Sequence, residues 1–266
     1  MQRLNKKSTK NPTNQESKSQ NEGGNLHNKM AGFNPILVSS VAYIGALAIF
    51  TVVYFTPMPR LPFPVQGCLL SNNHANQDLK YLILVLWALH YIRRTVEVLF
   101  IHIYKRKMPL FDSIGASVYY WVLALFVAWS INGDNYKLPT VYSIIPGVVL
   151  FVLGETGNAW CHLQLRFFRT KEYLVTMVAP ETGHVLPNGC LFNWLSCPHY
   201  FFEIIAWLGF FLVTWTVPSG CLLLFTIITL VIYSHKKHGA YVAEFDGENG
   251  RPIYPKNRKA LIPFIF

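Results

Sequence analysis

Four short polar groupings sit inside or beside long apolar runs, and each combines side chains able to do chemistry. The first is His90, Tyr91, Arg93, Arg94 and Glu97. His90, Arg94 and Glu97 recur at helical spacing, so a helix puts them on one face, and Arg93 stands four residues before Glu97. The plain reading is an Arg93–Glu97 ion pair with snorkelling near a membrane surface. The second grouping, Glu155, Asn158 and His162, repeats the spacing and runs into Arg166 and Arg169, giving one wet face with a basic mouth. The third, Cys197 to Glu203, places Tyr200 and Glu203 one turn apart, with His199 beside them. The fourth is the tail, where His238, Tyr241, Tyr254 and Arg258 mix basic and aromatic character with the apolar end Leu261 to Phe266. Read alone, that tail also fits an amphipathic membrane-surface anchor. A charge at mid-membrane depth costs at least ~2.5 kcal/mol on insertion scales, so each of these residues needs a partner or a task. Three polar faces gathering toward one end suit an anionic ligand.

The elements that must position these groups are membrane helices. Of 266 residues, 52% are hydrophobic and 15% aromatic. Several apolar runs reach the ~20 residues needed to cross a ~30 Å hydrocarbon core. Six spans are expected: Ile36–Phe55, Tyr81–Tyr104, Ile114–Ile131, Val141–Leu163, Tyr200–Val217 and a short one at Cys221–Tyr233. The fold class is therefore all-α, a polytopic membrane bundle. Residues 1–35, polar and poor in large apolar side chains, form an expected disordered basic tail, and residues 36–266 form the membrane-embedded domain.

The net charge of +10 does not point to nucleic acid, because the basic residues lie in clusters at the ends of apolar runs instead of on one face. Six spans with a cytosolic N-terminus leave segments 1–35, 105–113, 164–199 and 234–266 on the cytosolic side, with 6, 3, 3 and 6 Lys and Arg respectively. Both termini are thus expected in the cytosol. Cys68, Cys161, Cys190, Cys197 and Cys221 form no CxxC pair and no zinc spacing, so no metal site is expected. No GxGxxG follows a strand, which removes a soluble Rossmann site.

The segments HYIRRTVEVLF with the following KMPL, SCPHYFFE and the tail YPKNRKALIPFIF resemble the steroid 5-alpha-reductase superfamily, and the first two look closest to its very-long-chain trans-2-enoyl-CoA reductase branch. The resemblance covers about residues 36–266. It implies an endoplasmic reticulum membrane enzyme with NADPH held between helices on the cytosolic side. Tyr200 stands where the enoyl reductases have a catalytic tyrosine, and Tyr91 where the steroid reductases have one. Asn158, Arg166, Arg169, Glu203, His238 and Tyr241 match cofactor-pocket positions, and His162, His199 and Arg258 complete the candidate cofactor-binding set. Three departures stand out: His199 in place of an asparagine, Ala42 in place of a glutamate, and a GENGRP insertion between Phe245 and Tyr254.

The implied reaction is the NADPH-dependent reduction of a trans-2-enoyl-CoA, the last step of very-long-chain fatty acid elongation. A tyrosine hydroxyl, protonated at neutral pH with an ordinary pKa near 10, suits the enolate that forms as the double bond is reduced. The expected partners are a long-chain acyl-CoA, membrane lipid and other elongation enzymes. The alternatives are a steroid or polyprenol reductase of the same superfamily, a helical-bundle methyltransferase using S-adenosylmethionine, and a membrane scaffold without catalysis.

Overall fold

The computed structural model describes residues 32–56, 77–104, 107–133, 136, 139–169, 178–179 and 184–265. Most of the expected basic tail and Cys68 lie outside them. Within the described residues the protein is all-helical, with only isolated bridges in place of strands. The helices are α1 (Pro35–Phe55), α2 (Gln77–Val96), α3 (Leu110–Asn132), α4 (Val141–Phe167), α5 (Pro198–Thr214) and α6 (Val217–Glu244). A π-helical turn, Glu97–Ile101, continues α2.

Local chemistry sets where these helices begin. Asn34 caps α1, its side chain accepting from the Ile36 amide at 3.0 Å, and Pro35 occupies the first turn, where its missing N–H leaves nothing unpaired. Thr216 and Ser219 form a reciprocal capping box at the start of α6, with Pro218 in its first turn. Helices α1, α3, α4 and α6 are long and apolar enough to cross a membrane, and α5 is apolar but has 17 residues.

The expectation of a short last span is corrected: α6 has 28 residues, a length of about 42 Å at helical rise. The polar run from Ser234 to Glu244 ends the hydrophobicity but not the helix. The capping box sets an early start, and Lys236, Lys237 and Ala240 favour continuation. The shortest helix is α5.

Helices α1, α2 and α5 meet on Trp87. Its ring stacks on Phe50 at 4.5 Å between centroids, lies 5.8 Å from Trp207 and 5.5 Å from Phe210, and its indole N–H donates to the Ala46 carbonyl at 3.3 Å. The α4–α5 pair is held closer still. A Cβ on Gly154 would sit 2.3 Å from the Ala206 nitrogen, and one on Gly209 would sit 2.4 Å from the Phe151 nitrogen. Lipid tails give apolar faces no reason to associate, so packing through small residues holds such helices together. Ala42 is buried at the α1–α3 contact, and its carbonyl accepts from the Trp121 indole at 3.1 Å.

The tail is not a surface helix. It runs extended against the residues leading into α5: the Ser196 amide donates to Lys259 at 2.8 Å, the Cys197 amide to Ala260 at 3.1 Å, and the Lys259 amide to Trp194 at 2.9 Å. Two segments far apart in sequence, SCPH and YPKNRKAL, therefore form one unit that fixes the first turn of α5. The insertion forms an exposed hairpin closed by an Asp246–Ile253 bridge, with Arg251 clamping the Asp246 carboxylate at 2.9 and 2.6 Å.

Candidate active site

The polar faces of α2 and α4 close on each other as a buried ionic network. His90 Nδ1 lies 2.7 Å from Glu155 Oε1, and Arg93 donates to Glu155 Oε2 at 2.6 Å and to Asn158 Oδ1 at 2.8 Å. Arg93 also pairs with Glu97, as the plain reading of the sequence held. Arg94 and His162 both reach Glu97 Oε2, each at 2.8 Å. The π-helical turn presses Glu97 inward, and turns of this kind are frequent at functional sites. Burying these charges is favourable only because each one is paired and hydrogen-bonded.

Ligand atoms of Glu97, His102 and His162 lie within 4.8 Å of one another. That cluster already holds a cation, since the Arg94 guanidinium sits 2.8 Å from Glu97 and 3.2 Å from His162 Nδ1. A divalent metal would have to displace it.

Beside this network three cavities join end to end. The outer one, about 450 Å³, lies between α4, α6 and the 184–187 segment and carries Arg169, His184, Lys237, Tyr241 and Glu244. It shares Arg169, Lys237 and Tyr104 with a middle cavity of about 310 Å³, which adds Arg94, Arg166 and His199. The middle cavity shares Arg94, His162 and Tyr200 with an inner chamber of about 110 Å³, walled further by Asn158, Glu203 and Trp207. The Tyr200 side chain thus stands at the junction between the basic cavities and the inner chamber.

Four buried polar atoms here have no hydrogen-bond partner among the described residues: the Tyr91 hydroxyl, Arg93 Nη2, His199 Nδ1 and Glu203 Oε2. The other Glu203 oxygen accepts from the Trp207 indole at 3.3 Å, which orients the carboxylate, and Oε2 faces Arg93 Nη2 at 3.9 Å, too far for a hydrogen bond. Tyr91 stands behind the chamber wall, its ring 6.3 Å from Trp207 and 6.1 Å from Tyr120. Unsatisfied buried groups are costly and rare in folded proteins, so a cluster of them beside a cavity marks a place built for a ligand.

Of the residues singled out from the sequence, Asn158, His162, Arg166, Arg169, His199, Tyr200, Glu203 and Tyr241 come together on these walls. Arg166 and Arg169 also donate to the Ile101 and Ile103 carbonyls at 3.1 and 2.6 Å, satisfying the chain just past α2. His238 and Arg258 lie apart from the three cavities. His238 Nδ1 is 2.7 Å from Ser196 Oγ, and Arg258 donates to the Pro187 carbonyl at 2.9 Å with its guanidinium over the Tyr254 ring. Both fasten the tail in place. Lys237, which the sequence reading passed over, lines both outer cavities. Its signal was available, because it stands one helical turn before Tyr241 and so shares that face.

The sequence profile described as 3-oxo-5-alpha-steroid 4-dehydrogenase matches residues 106–266, which is more than half of the chain. The chain belongs to that family. A very-long-chain enoyl-CoA reductase of Dictyostelium discoideum is 31% identical over 230 residues, covering 86% of this chain and 69% of its own length. A probable very-long-chain enoyl-CoA reductase of Caenorhabditis elegans is 32% identical over 182 residues, covering 67% of this chain and 56% of its own length. A steroid 5-alpha-reductase of Solanum lycopersicum is 28% identical over 224 residues, covering 80% of this chain and 79% of its own length. The chain is accordingly an oxidoreductase of the steroid 5-alpha-reductase family. Helices α3 to α6, the Tyr200 segment and the docked tail all fall within the matched residues. Tyr91 and its network on α2 precede them.

Proposed function

We propose that this protein reduces the C2=C3 bond of a trans-2-enoyl-CoA with NADPH, as the last step of very-long-chain fatty acid elongation. On this reading it works in the endoplasmic reticulum membrane with six spans and both termini cytosolic. The observation that carries it is the run of joined cavities, cationic outside and ending at Tyr200, Glu203 and Arg94 inside.

The residues fit a phosphorylated dinucleotide. Lys237, Arg166 and Arg169 give the outer and middle cavities the positive charge that phosphates need, and Tyr241 offers an aromatic wall. Deeper in, Glu203 Oε2 is an open acceptor and His199 Nδ1 a second unmatched polar atom, both suited to the amide and hydroxyl groups of a nicotinamide riboside. NADPH, when bound, supplies the hydride. The protein's own groups do the rest. Tyr200 reaches the chamber with a neutral hydroxyl that donates to the thioester oxygen as negative charge builds there. The buried Arg94 sits on the same wall and adds positive potential, while the Glu155–Arg93–Glu97 network fixes the helices that carry both. Trp207, Leu222 and the surrounding apolar walls exclude water from the reacting carbon.

Tyr200→Phe tests this in membranes assayed for NADPH oxidation with long-chain trans-2-enoyl-CoA. The expected loss in kcat is about 10²- to 10⁴-fold, the range for one positioned proton donor, with the protein still inserted. Undiminished turnover would refute the role of Tyr200. A second reading, reduction of a steroid enone, draws on the open hydroxyl of Tyr91 and on the tomato relative. Presenting a Δ4-3-keto steroid and a polyprenol beside the enoyl-CoA to the same membranes separates the two.

A further inference from the structure

The inner chamber, at about 110 Å³, falls well below the ~300 Å³ that small-molecule pockets usually reach. It has room for a reacting thioester and the first carbons beyond it, but not for a long chain. The remainder of any long substrate must leave the chamber, and only some directions suit an apolar chain. Toward the middle cavity the walls carry Arg94, Arg166, Arg169 and Lys237, where methylene groups would strip water from cations. Toward α4 and α5 the helices are in backbone contact at Gly154 and Gly209 and leave no gap.

The remaining direction is the seam between α3 and α6. The chamber wall on that side consists of Tyr119 and Tyr120 from α3 and of Leu222, Thr226, Thr229 and Leu230 from α6. Thr229 is exposed on the outer surface of the bundle while also lining the chamber, so the wall is one side chain thick there. The polar contact recorded across the seam is long, 3.5 Å between the Tyr119 hydroxyl and Thr226 Oγ1. Outside it stand Phe126, Phe225 and Ile228, apolar and open to lipid. A second apolar groove, between α1 and α3 around Leu37 and Trp121, shares no residue with the chamber.

We infer that the α3–α6 seam is the acyl passage: the thioester end of the substrate sits in the chamber while its hydrocarbon chain runs out between Tyr119 and Thr226 into the bilayer. This rests on the enoyl-CoA reading above. The passage sets no upper limit on chain length, since the distal carbons lie in lipid. It also keeps the hydrocarbon chain among apolar side chains and lipid, away from the cations of the outer cavities.

The test compares kcat/KM for trans-2-eicosenoyl-CoA and trans-2-hexenoyl-CoA in proteoliposomes. Thr226→Trp, which fills the seam, is expected to lower the long-to-short ratio at least tenfold. Val41→Trp, in the α1–α3 groove, is expected to change it less than twofold. A ratio within twofold of wild type for Thr226→Trp, or an equal fall for Val41→Trp, overturns the passage. The unaltered protein gives an independent reading through a long-chain trans-2-enoyl-CoA carrying a diazirine midway along its chain. Labelling of the peptide Leu222–Leu230 is expected, and labelling confined to α1 and α3 overturns the inference. If the unaltered protein turns over neither enoyl-CoA, the enoyl-CoA reading itself fails, a result distinct from a shifted ratio.

Discussion

Glu155 is the residue whose removal should cost the fold most for the smallest chemical change. It is buried on α4, and its two oxygens hold His90 at 2.7 Å and Arg93 at 2.6 Å on α2. Glu155→Ala strips both and leaves Arg93 with Glu97 and Asn158. Breaking a buried ion pair from one side costs about 3–5 kcal/mol, and the partners left to Arg93 favour the lower end, about 3 kcal/mol. For a chain of this size that corresponds to a fall in melting temperature of about 6–12 °C. Glu155→Gln keeps the shape but can accept from only one of the two neighbours, so about 1–3 kcal/mol is expected. Glu203→Gln is the internal contrast: its charged contacts to the same helix are long, 3.6 Å to His90 and 3.9 Å to Arg93, so a smaller loss of about 1 kcal/mol, or about 2–4 °C, is expected. Thermal unfolding of the three variants in detergent, followed by intrinsic fluorescence, measures all of this. A shift under 2 °C for Glu155→Ala, or one for Glu203→Gln as large as for Glu155→Ala, would refute the claim that the α2–α4 network holds the bundle while Glu203 waits for a ligand.

One further outcome follows from the packing. Gly154→Leu places a Cβ 2.3 Å from the Ala206 backbone nitrogen, which cannot give way as a side chain would, so it should abolish the monodisperse folded peak in size-exclusion chromatography.

The helical bundle was legible because apolar runs of about 20 residues have few alternatives in lipid. The expected spans beginning at Ile36, Val141 and Tyr200 start within two residues of α1, α4 and α5. The end of α6 was not legible, since hydropathy stops at Tyr233 while helix propensity continues to Glu244. At the site, the i, i+4, i+7 spacing of α2 and the i, i+3, i+7 spacing of α4 showed which side chains share a face. They did not show that the two faces would meet, which depends on the inward turn at Glu97. Tyr200 and Glu203 came from a local motif and lie together, as a single helical turn dictates. The resemblance put His238 in the cofactor set and Arg258 joined it from the basic tail; in the structure the two residues contact Ser196 and Pro187. Charge in a sequence does not distinguish a residue that meets a ligand from one that pins a loop.

Helix α6 carries Thr226 on the seam and Lys237 on the basic cavities, eleven residues apart and so about 16 Å along one unbroken axis. No proline or bulge interrupts the helix between them. A small tilt that parts the seam for a hydrocarbon chain must therefore swing Lys237 and Tyr241 at the other end, as a lever does. A single rigid rod thus joins the α3–α6 seam to the basic cavities, and a displacement at one end is felt at the other.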